Sequence, residues 1–252
     1  SHDSCYLSMS YIKRAHALAQ LGKIEAAVAD IKRVPSLSEN LGAEFYYVRG
    51  LIHYMTKNLD GSIQDLKMAE KIGIRQGDDF YHLYGKAALD LRNYDLAIEK
   101  LTQSLEFNSH QNITRRELAI ALSLKGQNSM AIEVLGTNLI RNQDMAMVYF
   151  DLGYFHHCNG NSKLAREFFL KAVETEKDIL ELMEQFTQLT TAPHSPIHDF
   201  NTEAIKMARS YINTGAPPVT PPVQNPYKPS ISIVSVTSSP NPVAVNQAFE
   251  LV

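Results

Sequence analysis

Residues 78–107 read DDFYHLYGKAALDLRNYDLAIEKLTQSLEF, and the fold is decided here. Tyr81, Tyr84-Gly85, Ala97, Leu101 and Ser104 set a pattern. It returns 34 residues on as Leu118-Ala119, Ala131, Leu135 and Asn138, and after another 34 as Tyr149, Leu152-Gly153, Ala165, Phe169 and Ala172. Steps of 35 in the other direction find two more units. The five starts are Ser8, Ala43, Asp78, Asn112 and Ala146. The fourth position holds Tyr11, Tyr46, Tyr81, Arg115 and Tyr149. The eighth holds Ala15, Gly50, Gly85, Ala119 and Gly153. The twentieth holds Ala27, Ser62, Ala97, Ala131 and Ala165, and the twenty-fourth Ile31, Leu66, Leu101, Leu135 and Phe169. A fixed period of this length marks a repeat architecture.

The residue types have a physical reason. Each unit is predicted to be two antiparallel helices, A and B. Small residues at positions 8 and 20 let the pair approach closely, and the large residue at 24 fills the space beside them. One hairpin cannot bury that face alone, so the units stack. Position 15 holds Gly22, Gly126 and Gly160, which suit the left-handed turn that ends helix A. Lys57 and Arg92 stand there in the second and third units.

The period and these positions resemble the tetratricopeptide repeat (TPR) family. The resemblance covers residues 1–177 as five hairpins. It implies an all-α, right-handed superhelix whose concave face, lined by the A helices, holds protein partners. The usual proline at the repeat end is missing throughout.

Beyond the repeats, Glu176–Leu189 has the apolar spacing of a helix. Pro193 and Pro196 interrupt it, and a second helix is expected from about Thr202 to Asn213, with Asp199 or Asn201 capping its start. Residues 178–214 are thus expected to form a hairpin that caps the last repeat. Residues 215–229 hold six of the chain's 11 prolines and read as a semi-rigid linker. Residues 230–252 alternate as strands and look like the start of an immunoglobulin-like β-sandwich. On this reading the chain is part of a longer polypeptide; the compartment is open, with the linker and the immunoglobulin-like start leaning extracytoplasmic, and the unpaired strands could pair two copies as a homodimer.

Composition narrows the function. The 252 residues are 44% hydrophobic and 20% charged, with a net charge of −3. No basic excess or stripe suggests nucleic-acid binding. No apolar run is long enough for a membrane-spanning helix. Enzyme motifs for phosphate cradling, acyl transfer or zinc hydrolysis are missing, so no catalytic residue and no cofactor is expected. His156-His157-Cys158 could share a metal only in part, because consecutive helical residues point different ways. The plainer reading is a packed His156 beside a groove-facing His157. Cys158 has no base placed beside it by sequence. Cys5 and Cys158 lie in the first and fifth units, too far apart for a disulfide, so two free thiols are expected.

The resemblance places positions 2, 5, 9, 12 and 13 of each A helix on the concave face. Those positions do not carry the Lys/Asn/Arg set that grips a chaperone's terminal carboxylate. They are apolar at both ends: Tyr47, Leu51 and Met55 on one side, Ile120, Leu124, Phe150 and Tyr154 on the other. The centre is polar, with His82, Lys86 and Asp90 at fourfold spacing and Arg116 in the next unit. Exposed apolar area of this extent marks an interface. The expected function is a scaffold that captures a protein or peptide segment in the groove, with Lys86 and Arg116 orienting an acidic or carbonyl group. The alternative function is a docking arm of a larger multidomain protein. At the groove itself, other readings also stand: tight curling, or the chain's own terminal segment, would cover the apolar residues, and the polar centre would pair within itself as a solvated face.

Overall fold

A computed structural model describes residues 2–37, 41–74, 77–137, 145–191 and 193–214. Five helical hairpins follow one another. They are α1 (His2–Gln20) with α2 (Ile24–Ile31), α3 (Ala43–Met55) with α4 (Leu59–Ile72), α5 (Asp78–Asp90) with α6 (Tyr94–Phe107), α7 (Asn112–Leu124) with α8 (Asn128–Gly136), and α9 (Met145–Cys158) with α10 (Ser162–Thr175). A 3-10 turn at Val34–Ser36 follows α2, and the chain continues as α11 (Ile179–Thr190) and α12 (Pro196–Thr214). The expected linker (215–229) and β segment (230–252) lie outside the described residues, and with them the segment assigned to a homodimer.

Small-against-large packing holds each hairpin together. A Cβ on Gly85 would stand 2.6 Å from Leu101 Cγ and 3.0 Å from the Leu101 backbone nitrogen. One on Gly153 would stand 2.7 Å from the Phe169 ring. Leu66, Leu101 and Phe169 at position 24 are completely buried. The hairpin turn is equally regular. Gly22, Gly126 and Gly160 have φ of 72°, 86° and 79°, and Lys57 and Arg92 take the same left-handed turn at 63° and 61°. The repeat therefore imposes the conformation even where no glycine is present, at a steric cost. In three units the next residue is a cap: Asn58, Asn93 and Asn161 accept from the backbone N–H of Gly61, Leu96 and Leu164.

Within the first two units an ion pair joins A to B. Arg14 donates to Asp30 at 2.6 and 2.7 Å, and Arg49 donates to Asp65 at 2.7 and 2.6 Å. In the third unit Tyr84 stands at the Arg position and Lys100 at the Asp position, with the Lys100 ammonium 5.1 Å from the Tyr84 ring centre; the fourth and fifth units hold Leu118 with Val134 and Leu152 with Phe168, apolar at both positions. Successive A helices touch along α1, α3, α5 and α7, while successive B helices stand further apart. The A helices are therefore the inside of the curve.

The C-terminal hairpin departs from the expected boundaries. Helix α12 begins at Pro196, six residues before Thr202. Ser195 supplies its start: the Ser195 hydroxyl accepts from His198 N–H at 3.2 Å and the Ser195 carbonyl from Asp199 N–H at 3.0 Å. Pro196 sits in the first turn, where its missing N–H is no loss. Asp199 and Asn201 are thus inside the helix and not at its cap. Ala204, Ala208 and Tyr211 of α12 lie in one cluster with Phe169 and Ala172 of α10, covering the end of the stack. The N-terminal half of α12 goes elsewhere, onto the A helices.

Candidate functional site: a concave face half open and half filled

A ladder of polar contacts runs along the inside of the curve, from each A helix to the next. Tyr54 on α3 donates to Asp90 on α5 at 2.8 Å. His82 on α5 donates to Glu117 on α7 at 2.7 Å, and Lys86 stands 3.5 Å from the same carboxylate. Arg116 on α7 grips Asp151 on α9 with two N–H groups, at 2.5 and 2.9 Å. The polar centre pairs between repeats and not within one helix: His82, Lys86 and Arg116 do so through acids at position 6, which the groove pattern does not include, and Tyr54 and Asp90 through positions 12 and 13, which it does. Glu117 and Asp151 are buried. Burial opposes ionisation of Glu117, but His82 and Lys86 outweigh it and hold its carboxyl below the usual range. Burial pushes the Asp151 carboxyl up, and Arg116 pulls it back in part. At Asp90 burial again raises the carboxyl, against the Tyr54 hydroxyl and Lys86.

The two apolar ends have different fates. At the N-terminal end a cleft of roughly 590 Å³ opens between α1, α3 and α5, lined among others by Met9, Ile12, His16, Tyr47 and Phe80. Tyr47 meets His16 edge-on at 5.5 Å and Phe80 at 5.8 Å. Glu44 and Asp79 on its rim are exposed, as is Lys13. Leu51 and Met55 lie half-buried beside the first core cluster.

At the C-terminal end the expectation of exposed Ile120 and Phe150 is corrected: both are completely buried. Ile120 belongs to the cluster that includes Ile197 and Phe200, and Phe150 to the one that includes Tyr211. Helix α12 is the reason. Phe200 packs against Tyr154 (4.9 Å between centroids) and Phe155 (5.5 Å). Asn201 accepts from Arg116 at 2.8 Å. Asp199 and the His194 carbonyl accept from Arg92, at 2.9 and 3.0 Å. Tyr154 and Leu124 are half-buried at this end.

His156 stacks on Phe168 (5.1 Å, 6° between planes), while His157 shares a hydrogen bond with Tyr211 at 3.0 Å. The two rings face different neighbours, and among the described residues no group of three His, Cys, Asp or Glu could hold a metal. The Cys158 thiol lies against Tyr154 and Ser123, and burial of the sulfur pushes its pKa up to about 11, the wrong direction for a nucleophile. Cys5 and Cys158 are free. No helix of the described residues is long and apolar enough to cross a membrane.

Tetratricopeptide repeat family models match residues 12–78 and 146–179. No curated protein sequence matches the chain significantly. Solved structures similar in fold include YrrB, described as a TPR protein with an unusual peptide-binding site. It is 20% identical with a TM-score of 0.60, over 67% of this chain and 86% of that one. MamA MSR-1 is 20% identical with a TM-score of 0.61, over 68% of this chain and 97% of that one. MamA AMB-1 is 19% identical with a TM-score of 0.60, over 68% and 92%. The 34- and 35-residue periods, the hairpins they build and the two family matches agree: the chain carries tetratricopeptide repeats and folds as a tetratricopeptide-repeat array.

Proposed function

We propose that the chain is a protein–protein interaction scaffold that captures a segment of its partner in the open, N-terminal half of the concave face. The observation that carries this reading is the cleft between α1, α3 and α5, where Met9, Tyr47 and Phe80 line a concave, partly apolar surface. Met9, Tyr47 and Phe80 are its apolar side, with Leu51 and Met55 half-buried further along α3 outside the cleft, and aromatic anchors in a cleft dominate interfaces of this kind. The exposed Glu44 and Asp79 carboxylates set the partner's chemistry: apolar side chains next to Lys or Arg. Further along, His82, Lys86, Asp90 and Arg116 fix the curvature of the face through the ladder. YrrB, a fold neighbour described as having a peptide-binding site, supports a peptide ligand.

The test is charge reversal at Glu44→Lys and Asp79→Lys, both exposed; each acid stands in the first turn of its helix, so the stability cost, about 0.3–1 kcal/mol apiece, is read separately as a shifted thermal midpoint. Peptides selected for binding to the full chain are titrated against wild type and the double variant. The reading expects a loss of at least about tenfold, since two charge contacts are reversed. Unchanged affinity for every selected peptide sinks it.

A further inference from the structure

Helix α12 lies on the concave face as a ligand would. It meets the third repeat at Arg92, the fourth at Arg116 and the fifth at Tyr154, Phe155 and His157. A stacked repeat helix touches only its neighbouring hairpin. Its two halves are held differently. The C-terminal half is anchored by Ala204, Ala208 and Tyr211 at the end of the stack. The N-terminal half is held by Ile197, Phe200 and polar contacts. One of these, Arg92 to Asp199, is an exposed pair of little strength. Another is imperfect: Asn201 is completely buried, and although its oxygen accepts from Arg116, its amide nitrogen has no partner among the described residues. A buried orphan donor weakens the grip.

Building on the groove reading above, we propose that the N-terminal half of α12 is a displaceable internal ligand. A partner protein's amphipathic helix with the same chemistry would take its place. The site specifies that helix. An aliphatic residue enters beside Leu89 and Ile120, as Ile197 does. An aromatic three positions on fits between Tyr154 and Phe155, as Phe200 does. An acid just before that aromatic meets Arg92, and an acceptor just after it meets Arg116. Arg92 and Arg116 supply charge complementarity for the acid and the acceptor.

A fluorescent peptide of residues 193–214 is the probe, titrated against the full chain. The apparent affinity of a site filled from within is reduced by the fraction of time it is open. Phe200→Ala in the protein should therefore bind the probe about a hundredfold tighter than wild type, because the anchor of the internal helix is gone. Arg92→Ala removes one grip from both ligands and should change affinity little. The same probe carrying Ala at its own Phe200 should not bind. Hydrogen exchange should show α12 amides at 197–202 opening at least about tenfold faster than α9.

If Phe200→Ala fails to fold, the exchange comparison on wild type decides: equal protection of α12 and α9 overturns the proposal. Release of α12 in Phe200→Ala without probe binding also overturns it. A wild-type chain that proves dimeric by light scattering, with exchanged helices, overturns the partner assignment in favour of a second copy. Tyr47→Ala must leave probe affinity unchanged, so failure here and failure of the N-terminal cleft are separate results.

Discussion

Replacing Arg116 by Met would leave Asp151 as a carboxylate with no exposed surface and no counter-charge. The Arg116 side chain is 11% exposed and that of Asp151 0%, so solvent rescues neither. Breaking a buried pair in this way costs about 3–5 kcal/mol. The alternative, protonating Asp151 at pH 7 from an ordinary pKa near 4, costs about 4 kcal/mol, so the two routes agree. Asn201 also loses its donor. The double variant Arg116→Met with Asp151→Leu removes the orphaned charge and should recover most of the loss, leaving about 1–2 kcal/mol for Asn201. Urea unfolding measures all four corners of the cycle by far-UV circular dichroism and tyrosine fluorescence, since the chain has 12 tyrosines and no tryptophan. The two probes must coincide, because repeat arrays can unfold in stages. A single variant within about 1 kcal/mol of wild type, or additive single variants, would refute the claim that the ladder is a buried structural network.

Other consequences follow from the same contacts. Gly85→Ala forces a methyl against Leu101 and should cost about 1–2 kcal/mol after its helix-propensity gain. Gly50→Ala meets Leu66 and Asp65 side-chain atoms at 3.1–3.3 Å, a milder crowding, and should cost less than Gly85→Ala; urea midpoints distinguish them. Lys57→Gly relieves a left-handed residue at φ 63° and should stabilise by about 0.5–1 kcal/mol, read as a raised midpoint. Burial lowers the pKa of His156, beside Phe168 and Glu167, and of His157, beside Tyr211 and Glu203. The unfolded chain therefore binds their protons first, and stability should fall as pH drops through about 6.5. Thermal midpoints at pH 7.5 and 5.5 check this, and His156→Phe should flatten the slope; the raised Asp90 and Asp151 carboxyls act with the opposite sign and are common to both proteins.

The local rules of the fold were legible because they recur. A small residue at position 8 facing a large one at 24 could be read at Gly85 and Leu101 without any coordinates. So could the turn at position 15, where Lys57 and Arg92 obey the geometry although they lack the residue type. The inter-repeat ladder was also present in the letters, as an offset of 35 joining His82 to Glu117 and Arg116 to Asp151. It was missed because the groove pattern considers position 5 and not position 6. That a terminal segment of the chain could cover the apolar residues was legible; the place of α12 on them was not. It follows no repeat register, and its packing on Leu89, Ile120 and Tyr154 is a long-range choice made by Phe200 and Asn201. Its start was misplaced because Pro196 reads as a breaker, whereas after Ser195 it opens a helix. That one boundary moved Asn201 from a cap to the buried partner of Arg116, and it turned an apparently open apolar end into a filled one.

The central claim is that partners enter through the inside of the curve. Hydrogen exchange on the full chain, with and without a saturating selected peptide, tests it most directly. The account predicts added protection in α1, α3 and α5, around Ile12, Tyr47 and Phe80, with α2 and α4 unchanged. Protection gained on α2 and α4 alone would contradict it.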